Sequence, residues 1–192
     1  TYGFPALTVS DTDGDGRKDI IAALDDRVAV YRQGEPYSFA AQPTLRRDFA
    51  ARTAAELTQM SSGAATTVTD IDLDGLADVV VRKQVARGIT SAATTSFVYF
   101  GRRGGGYPAR PDQVIRNEGV SGTDVDLFDV TGDGRTDLVV PSVNIGVMAI
   151  IRVLTTKSVK VNFQVFPFDP KSRRFATRFW RSRYISSAST QP

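Results

Sequence analysis

Three stretches of the chain repeat one order of polar and apolar positions. Each opens on a short, partly β-branched segment: Ala6-Leu7-Thr8-Val9, Thr66-Thr67-Val68-Thr69 and Val125-Asp126-Leu127-Phe128. An acidic, glycine-containing loop follows. Beyond it comes a continuous apolar run: Ile20-Ile21-Ala22, Val79-Val80-Val81 and Leu138-Val139-Val140. Such runs predict inner strands covered on both faces. A third, aromatic-rich strand is expected at Val28–Tyr31, Phe97–Phe100 and Phe163–Phe166. A further aromatic follows the next turn each time, at Phe39, Tyr107 and Phe175. The unit therefore reads strand, acidic loop, strand, turn, strand, Gly- or Pro-containing turn, last strand. Four short strands per unit of this length is the pattern of a propeller blade.

The loops start at Asp11, Asp70 and Asp129, 59 residues apart both times. Self-similarity at a fixed period signals repeat architecture. The expected fold is all-β, with about three four-stranded, blade-like β-propeller repeats near residues 4–60, 61–122 and 123–187. This is a partial or open propeller, with short helical insertions. Residues 1–192 form a single repeat domain or a propeller segment, and the segment is favoured because closed propellers have more blades. Two stretches break the pattern. Leu45, Phe49, Leu57 and Met60 fall at roughly helical spacing and suggest a helix between blades. Ile145–Leu154 reads either as an inserted helix or as a long buried strand.

The three loops carry the chemistry. The first is Asp11-Thr-Asp13-Gly-Asp15-Gly-Arg17-Lys-Asp19, and the second is Asp70-Ile-Asp72-Leu-Asp74-Gly-Leu76-Ala-Asp78. The third is Asp129-Val-Thr131-Gly-Asp133-Gly-Arg135-Thr-Asp137. A hard cation such as Ca²⁺ takes about six to eight oxygens on a tightly turning backbone. Aspartates at positions one, three and five place short carboxylates inside such a turn. Glycine at position six permits the bend. Position seven (Arg17, Leu76, Arg135) offers its backbone carbonyl, and Asp19, Asp78 or Asp137 closes the site. About three Ca²⁺ ions are expected. The third loop has Thr131 in place of an aspartate and should bind more weakly. A helical EF-hand needs a Glu at position twelve, where this chain has Ala22, Val81 and Val140 inside apolar runs. The loops therefore lie between strands. Carboxylates crowded into one loop repel each other, so without a cation the loops are expected to be disordered.

These motifs resemble the FG-GAP/VCBS repeats of integrin-α-type β-propellers, which carry Asp-x-Asp-Gly-Asp-Gly-x-x-Asp-Leu/Ile-Val between two strands of a blade. The first loop matches throughout, ending Asp19-Ile20-Ile21; the third departs at Thr131, and the second at Leu73, where glycine is usual. The resemblance implies a secreted, periplasmic or cell-surface protein of the adhesin, lectin, receptor-domain or enzyme-scaffold kind.

Composition narrows the choice. With neither cysteine nor histidine, thiol catalysis, disulfides, Cys-type zinc sites and Ser-His-Asp chemistry are excluded. The most apolar run, Ile145–Leu154, contains Arg152 and is too short for the ~20 residues a bilayer span needs. Thr1-Tyr2-Gly3-Phe4 lacks the features of a signal peptide, which suggests a processed N-terminus or a fragment. The loops hold eleven of the 21 acids, leaving ten against the chain's 24 basic residues.

Arg173–Tyr184 mixes basic and aromatic residues. It reads as a polyanion contact, or more simply as an outer strand with solvated arginines; nucleic acid is disfavoured as a partner. Gly101–Gly106 lacks the Gly-Lys-Ser/Thr ending of a phosphate loop and reads as a hairpin turn. Asp25-Asp26 and Asp124/Asp126 have no context that supports a glycosidase pair.

The expected function is a non-enzymatic, calcium-stabilised module binding a protein or polysaccharide. Its insertions Gln84–Ser96 and Asn144–Lys157 would form the recognition surface, with assembly onto further blades or subunits. The alternatives are a propeller domain of an extracellular hydrolase or lyase with catalytic residues elsewhere, or a structural subunit of a surface assembly.

Overall fold

A computed structural model describes residues 4–35, 37–59, 62–86, 92–118, 126–143, 155, 158–177 and 182–188. Three four-stranded antiparallel sheets succeed one another along the chain. The first contains β1 (Ala6–Ser10), β2 (Asp19–Leu24), β3 (Arg27–Tyr31) and β6 (Leu45–Asp48). A two-stranded ribbon, β4 (Gln33–Gly34) with β5 (Ser38–Phe39), interrupts it. After the short helix α1 (Ala54–Leu57), the second sheet runs through β7 (Ser62–Thr69), β8 (Asp78–Ala86), β9 (Ala92–Tyr99) and β10 (Gln113–Glu118). The third runs through β11 (Asp126–Phe128), β12 (Asp137–Val143) and β13 (Ser158–Phe166), then the ribbon β14 (Phe168–Asp169) with β15 (Arg174–Phe175), and ends at β16 (Ser182–Ala188). The architecture is all-β and propeller-like, with one sheet per blade.

Register makes the three blades comparable residue by residue. The pairs Ser10↔Asp19, Thr69↔Asp78 and Phe128↔Asp137 close the three acidic loops. Side chains alternate faces along a strand, so each inner strand addresses two neighbours. In β8, Val79 and Val81 pack toward the first blade with Ile21, Ala23, Val28, Val30 and Tyr99. Val80 faces the third blade, beside Val98, Leu138, Val140 and Phe166. The middle blade is thus covered on both sides, which explains its uninterrupted valine run. The second interface also buries Arg82, which donates from Nη2 to Val139 O at 3.2 Å.

The first blade has one covered face. Ile21 and Ala23 are buried, but Leu7, Val9, Ile20, Ala22, Ala29 and Tyr31 lie on the opposite face, partly or well exposed. By register these positions correspond to Thr66, Val68, Val79, Val81, Phe97 and Tyr99 of the second blade, the face that the first blade covers. The expectation of a doubly covered inner strand therefore holds for β8, while β2 departs from it, since none of the described sheets covers its other face. The aromatics after the third strand follow suit. Tyr107 packs on the first interface and Phe175 on the second, whereas Phe39 is 41% exposed.

Three expectations need correction. Leu45–Asp48 is the fourth strand of the first blade, paired with β3, because Leu45 turns inward while Arg46 and Asp48 lie outward. Among the described residues of this stretch, helix is confined to the single turn α1, held by a capping box between Thr53 and Glu56. The residue equivalent to Tyr31 is Tyr99, which pairs with Val79, and Phe100 lies just past the strand. Ile145–Leu154 (all of it), Met60, parts of both insertions and Asp124 lie outside the described residues.

The contrast between equivalent aromatics is testable. Phe175→Ala should lower unfolding free energy by about 3–5 kcal/mol, the usual range for a fully buried phenylalanine. Phe39→Ala should change it by less than ~1 kcal/mol. Urea denaturation of both variants checks this.

Candidate functional site

Each acidic loop is built on a buried carboxylate at its ninth position. Asp19, Asp78 and Asp137 are each almost wholly inaccessible. Asp78 Oδ2 accepts from Ile71 N at 2.8 Å, and its Oδ1 accepts from Gly101 N at 2.8 Å. Asp19 does the same with Thr12 N (3.0 Å) and Gln33 N (3.0 Å). Asp137 accepts from Val130 N (3.0 Å), Thr131 N (2.9 Å) and Phe168 N (3.2 Å). One oxygen thus pins the start of the loop and the other pins the end of the third strand. Satisfying these amides is what permits a carboxylate to be buried here.

The first-position aspartate organises the turn. Asp11 accepts from Gly14 N at 2.7 Å and Gly16 N at 2.9 Å; Asp129 accepts from Gly132 N at 2.7 Å and Gly134 N at 2.8 Å. Asp70 accepts from Gly75 N at 2.9 Å. Burial raises the Asp11 carboxyl, but the amides of Gly14, Gly16 and Asp13 outweigh it and leave it below its usual value. Burial, with the charges of Asp74 and Asp72, lifts Asp70 despite the Gly75 amide. Position four demands a left-handed backbone: Gly14 and Gly132 adopt φ of 82° and 78°, and Leu73 is held at 62°. For a branched L-residue that conformation costs about 1–2 kcal/mol, so the second loop carries strain that the other two avoid.

The aspartates at positions three and five keep Oδ1 on a loop amide and leave Oδ2 free of the loop backbone. Asp15 Oδ1 accepts from Arg17 N at 2.8 Å, Asp74 Oδ1 from Leu76 N at 2.9 Å and Asp133 Oδ1 from Arg135 N at 2.9 Å. In the first loop these Oδ2 atoms meet guanidinium groups: Arg17 lies 2.5 Å from Asp15 Oδ2, and Arg32 lies 3.3 Å from Asp13 Oδ2. In the second loop Arg173 bridges Asp72 and Asp74. Arg32 and Arg173 were not legible in sequence, because they approach from other segments and carry no local pattern. Thr131 Oγ1 in the third loop is buried without a hydrogen-bond partner.

The predicted ligands are partly brought together. Oxygens of Asp11, Asp13 and Asp15 lie within 4.8 Å of one another, as do those of Asp70, Asp72 and Asp78. Asp19 stands apart from the first group and Asp74 from the second. Among the described residues, Asp129, Asp133 and Asp137 form no such group. At position seven, Leu76 is buried in contact with the neighbouring blade's loop, whereas Arg17 reaches Glu35 at 3.0 Å. Short oxygen-only clusters on a tight turn have the donor chemistry of a hard divalent cation.

Other acids are held by basic residues. Arg52 bridges Asp25 (3.1 Å) and Asp26 (3.2 Å). Gly101–Gly106 connects β9 to β10 and packs on the first loop, Gly104 N donating to Asp13 O at 2.8 Å. Of the basic–aromatic segment, Phe175 is core and Arg173 faces the second loop; residues 178–181 lie outside the described set.

Burial, with repulsion from Asp72 and Asp74, pushes Asp78 up to about 7 from 3.8, despite the opposing amides of Gly101 and Ile71. Between those values the folded protein holds a proton that the unfolded chain has released. Stability from this group is therefore lost as pH rises, by at most about 1.4 kcal/mol per pH unit. Denaturation in chelator at pH 5 and pH 7 should show this decline. Asp78→Asn should flatten it.

Residues 11–81, which hold the first two loops, match the family model described as FG-GAP-like repeat. No curated protein and no solved structure matches the chain. FG-GAP repeats often bind calcium, are generally protein-interaction modules and are typically extracellular. Among the described residues, no helix is long and apolar enough to cross a membrane. With the matched loops set in β-blades, and the third blade repeating their order, the match over residues 11–81 is consistent with an FG-GAP-type repeat protein.

Proposed function

We propose that this chain is a non-enzymatic, calcium-binding propeller module that binds a protein or glycan at a cell surface or in an exported complex. The observation that carries the calcium reading is the clustering of carboxylate oxygens on two loops of one design. Asp11, Asp13 and Asp15 would hold one ion, and Asp70, Asp72 and Asp78 a second, with the carbonyls of Arg17 and Leu76 completing each turn. Asp129, Thr131, Asp133, Arg135 and Asp137 would form a third, weaker site. Calcium supplies the positive charge that lets several carboxylates share one bend. The chain supplies the amides that hold each carboxylate in place. Asp19, Asp78 and Asp137 each accept backbone amides on both oxygens, so each also fixes the loop that carries the ligands.

Calorimetric titration should give two stronger sites and one weaker, with Ca²⁺ preferred over Mg²⁺ and a lower melting temperature after chelation. Asp15→Ala should remove one strong site. Unchanged stoichiometry in that variant would overturn the ligand assignment of the first loop.

A second reading concerns assembly. The open face of the first blade offers Leu7, Val9, Ala22 and Tyr31 at positions that the next blade keeps covered. Exposed apolar area of this kind favours association. We propose that a further blade-type sheet, supplied by a second copy, seats there. The chain should then sediment above its 20.8 kDa monomer mass at tens of micromolar. Leu7→Glu with Val9→Glu should return it to monomer, and a monomeric parent chain sinks the idea.

A further inference from the structure

We infer that Arg173 is the resident counter-charge of the second loop and competes with a divalent cation for it, so that a residue of the third blade sets cation affinity in the second. The inference rests on the calcium reading above. Asp72 and Asp74 each keep Oδ1 on a loop amide, from Asp74 N at 3.3 Å and Leu76 N at 2.9 Å. Both turn Oδ2 to the same nitrogen, Arg173 Nη2, which lies 3.2 Å from Asp74 Oδ2 and in direct contact with Asp72 Oδ2. Apart from this ion pair, Asp72 Oδ2 is buried without a hydrogen-bond partner. It is also an oxygen that a metal ion in the loop would need.

Arg173 is held in place from behind. It sits on the tight turn between β14 and β15 with φ of 51°, a left-handed conformation that a non-glycine residue adopts at a cost. Asp169 braces the turn, accepting from Lys171 N at 3.0 Å and Ser172 Oγ at 2.8 Å. The guanidinium lies 5.0 Å from the centre of the Phe100 ring, an attractive arrangement. The first loop differs, because Arg17 and Arg32 both come from its own blade.

A guanidinium and a divalent ion cannot share one oxygen at contact distance, and their like charges repel strongly in a partly buried loop. Cation entry therefore displaces Arg173 from Asp72. The hairpin remains anchored meanwhile, because Phe168 and Phe175 flank the turn inside the core.

The test follows the amide resonances of Gly16, Gly75 and Gly134, one per loop, during Ca²⁺ titration of ¹⁵N-labelled protein. Arg173→Ala should tighten binding at Gly75 by about tenfold and leave Gly16 unchanged. It should also lower the melting temperature in chelator while leaving it near wild type in saturating Ca²⁺. Arg173→Gln, of closer volume, should repeat the result and separates charge from packing. Equal affinity at Gly75 in all three proteins overturns the competition and leaves the calcium reading standing. No response of Gly75 to millimolar Ca²⁺ in any of them overturns both.

Discussion

A buried carboxylate bridging two backbone segments is the constraint on which each blade depends. Asp19, Asp78 and Asp137 occupy the first residue of the second strand, where the acidic loop ends and the sheet begins. Each accepts from the loop's opening amides and from an amide two residues past the aromatic of the third strand. The third strand and the loop are thereby locked to one atom group. A burial that would otherwise be prohibitive becomes tolerable because both oxygens are satisfied. Asp78 shows the residual tension: it is the most strongly raised aspartate described, with two further carboxylates close by.

The blades then stack by alternation. A strand can be apolar on both faces only if a neighbour lies on each side. The middle blade meets this condition, and its valines reach both cores. The contacts between blades are also polar: Gln113 and Phe175 exchange two hydrogen bonds at 2.7 and 2.8 Å, and Thr66 Oγ1 donates to Asp25 O at 2.6 Å. Directional bonds of this kind fix how one sheet is set against the next, which apolar contact alone would not.

Much of this was legible in the sequence, for identifiable reasons. Loop spacing and β-branched runs depend on local chemistry, so Asp11 to Asp19 and its two counterparts announced hairpins correctly. Leu45–Asp48 misled because four apolar residues at roughly helical spacing included one, Leu45, that belongs to a strand; the period of so short a run does not discriminate. In the sequence Phe100 reads as the counterpart of Tyr31 because adjacent aromatics leave the register ambiguous by one, and one residue changes the face. The ninth aspartate also holds backbone amides, a role sequence does not show, since it cannot tell which groups a carboxylate will meet in the fold.

Charge is where sequence and fold complement each other most. Along the chain about half of the acids crowd into the loops, while most of the bases lie elsewhere. Folding undoes part of that segregation, since Arg32 reaches Asp13 and Arg173 reaches Asp72 and Asp74 across large separations. Repulsion within a loop is thus answered by guanidinium groups as well as by any ion. The two answers differ in kind, because a guanidinium brings a tether to its own strand or blade, and an ion brings none. A loop neutralised by Arg173 is mechanically tied to the third blade, while a loop neutralised by a cation is rigid on its own. Which neutralisation prevails therefore decides whether the second and third blades are joined through their loops or through their cores alone.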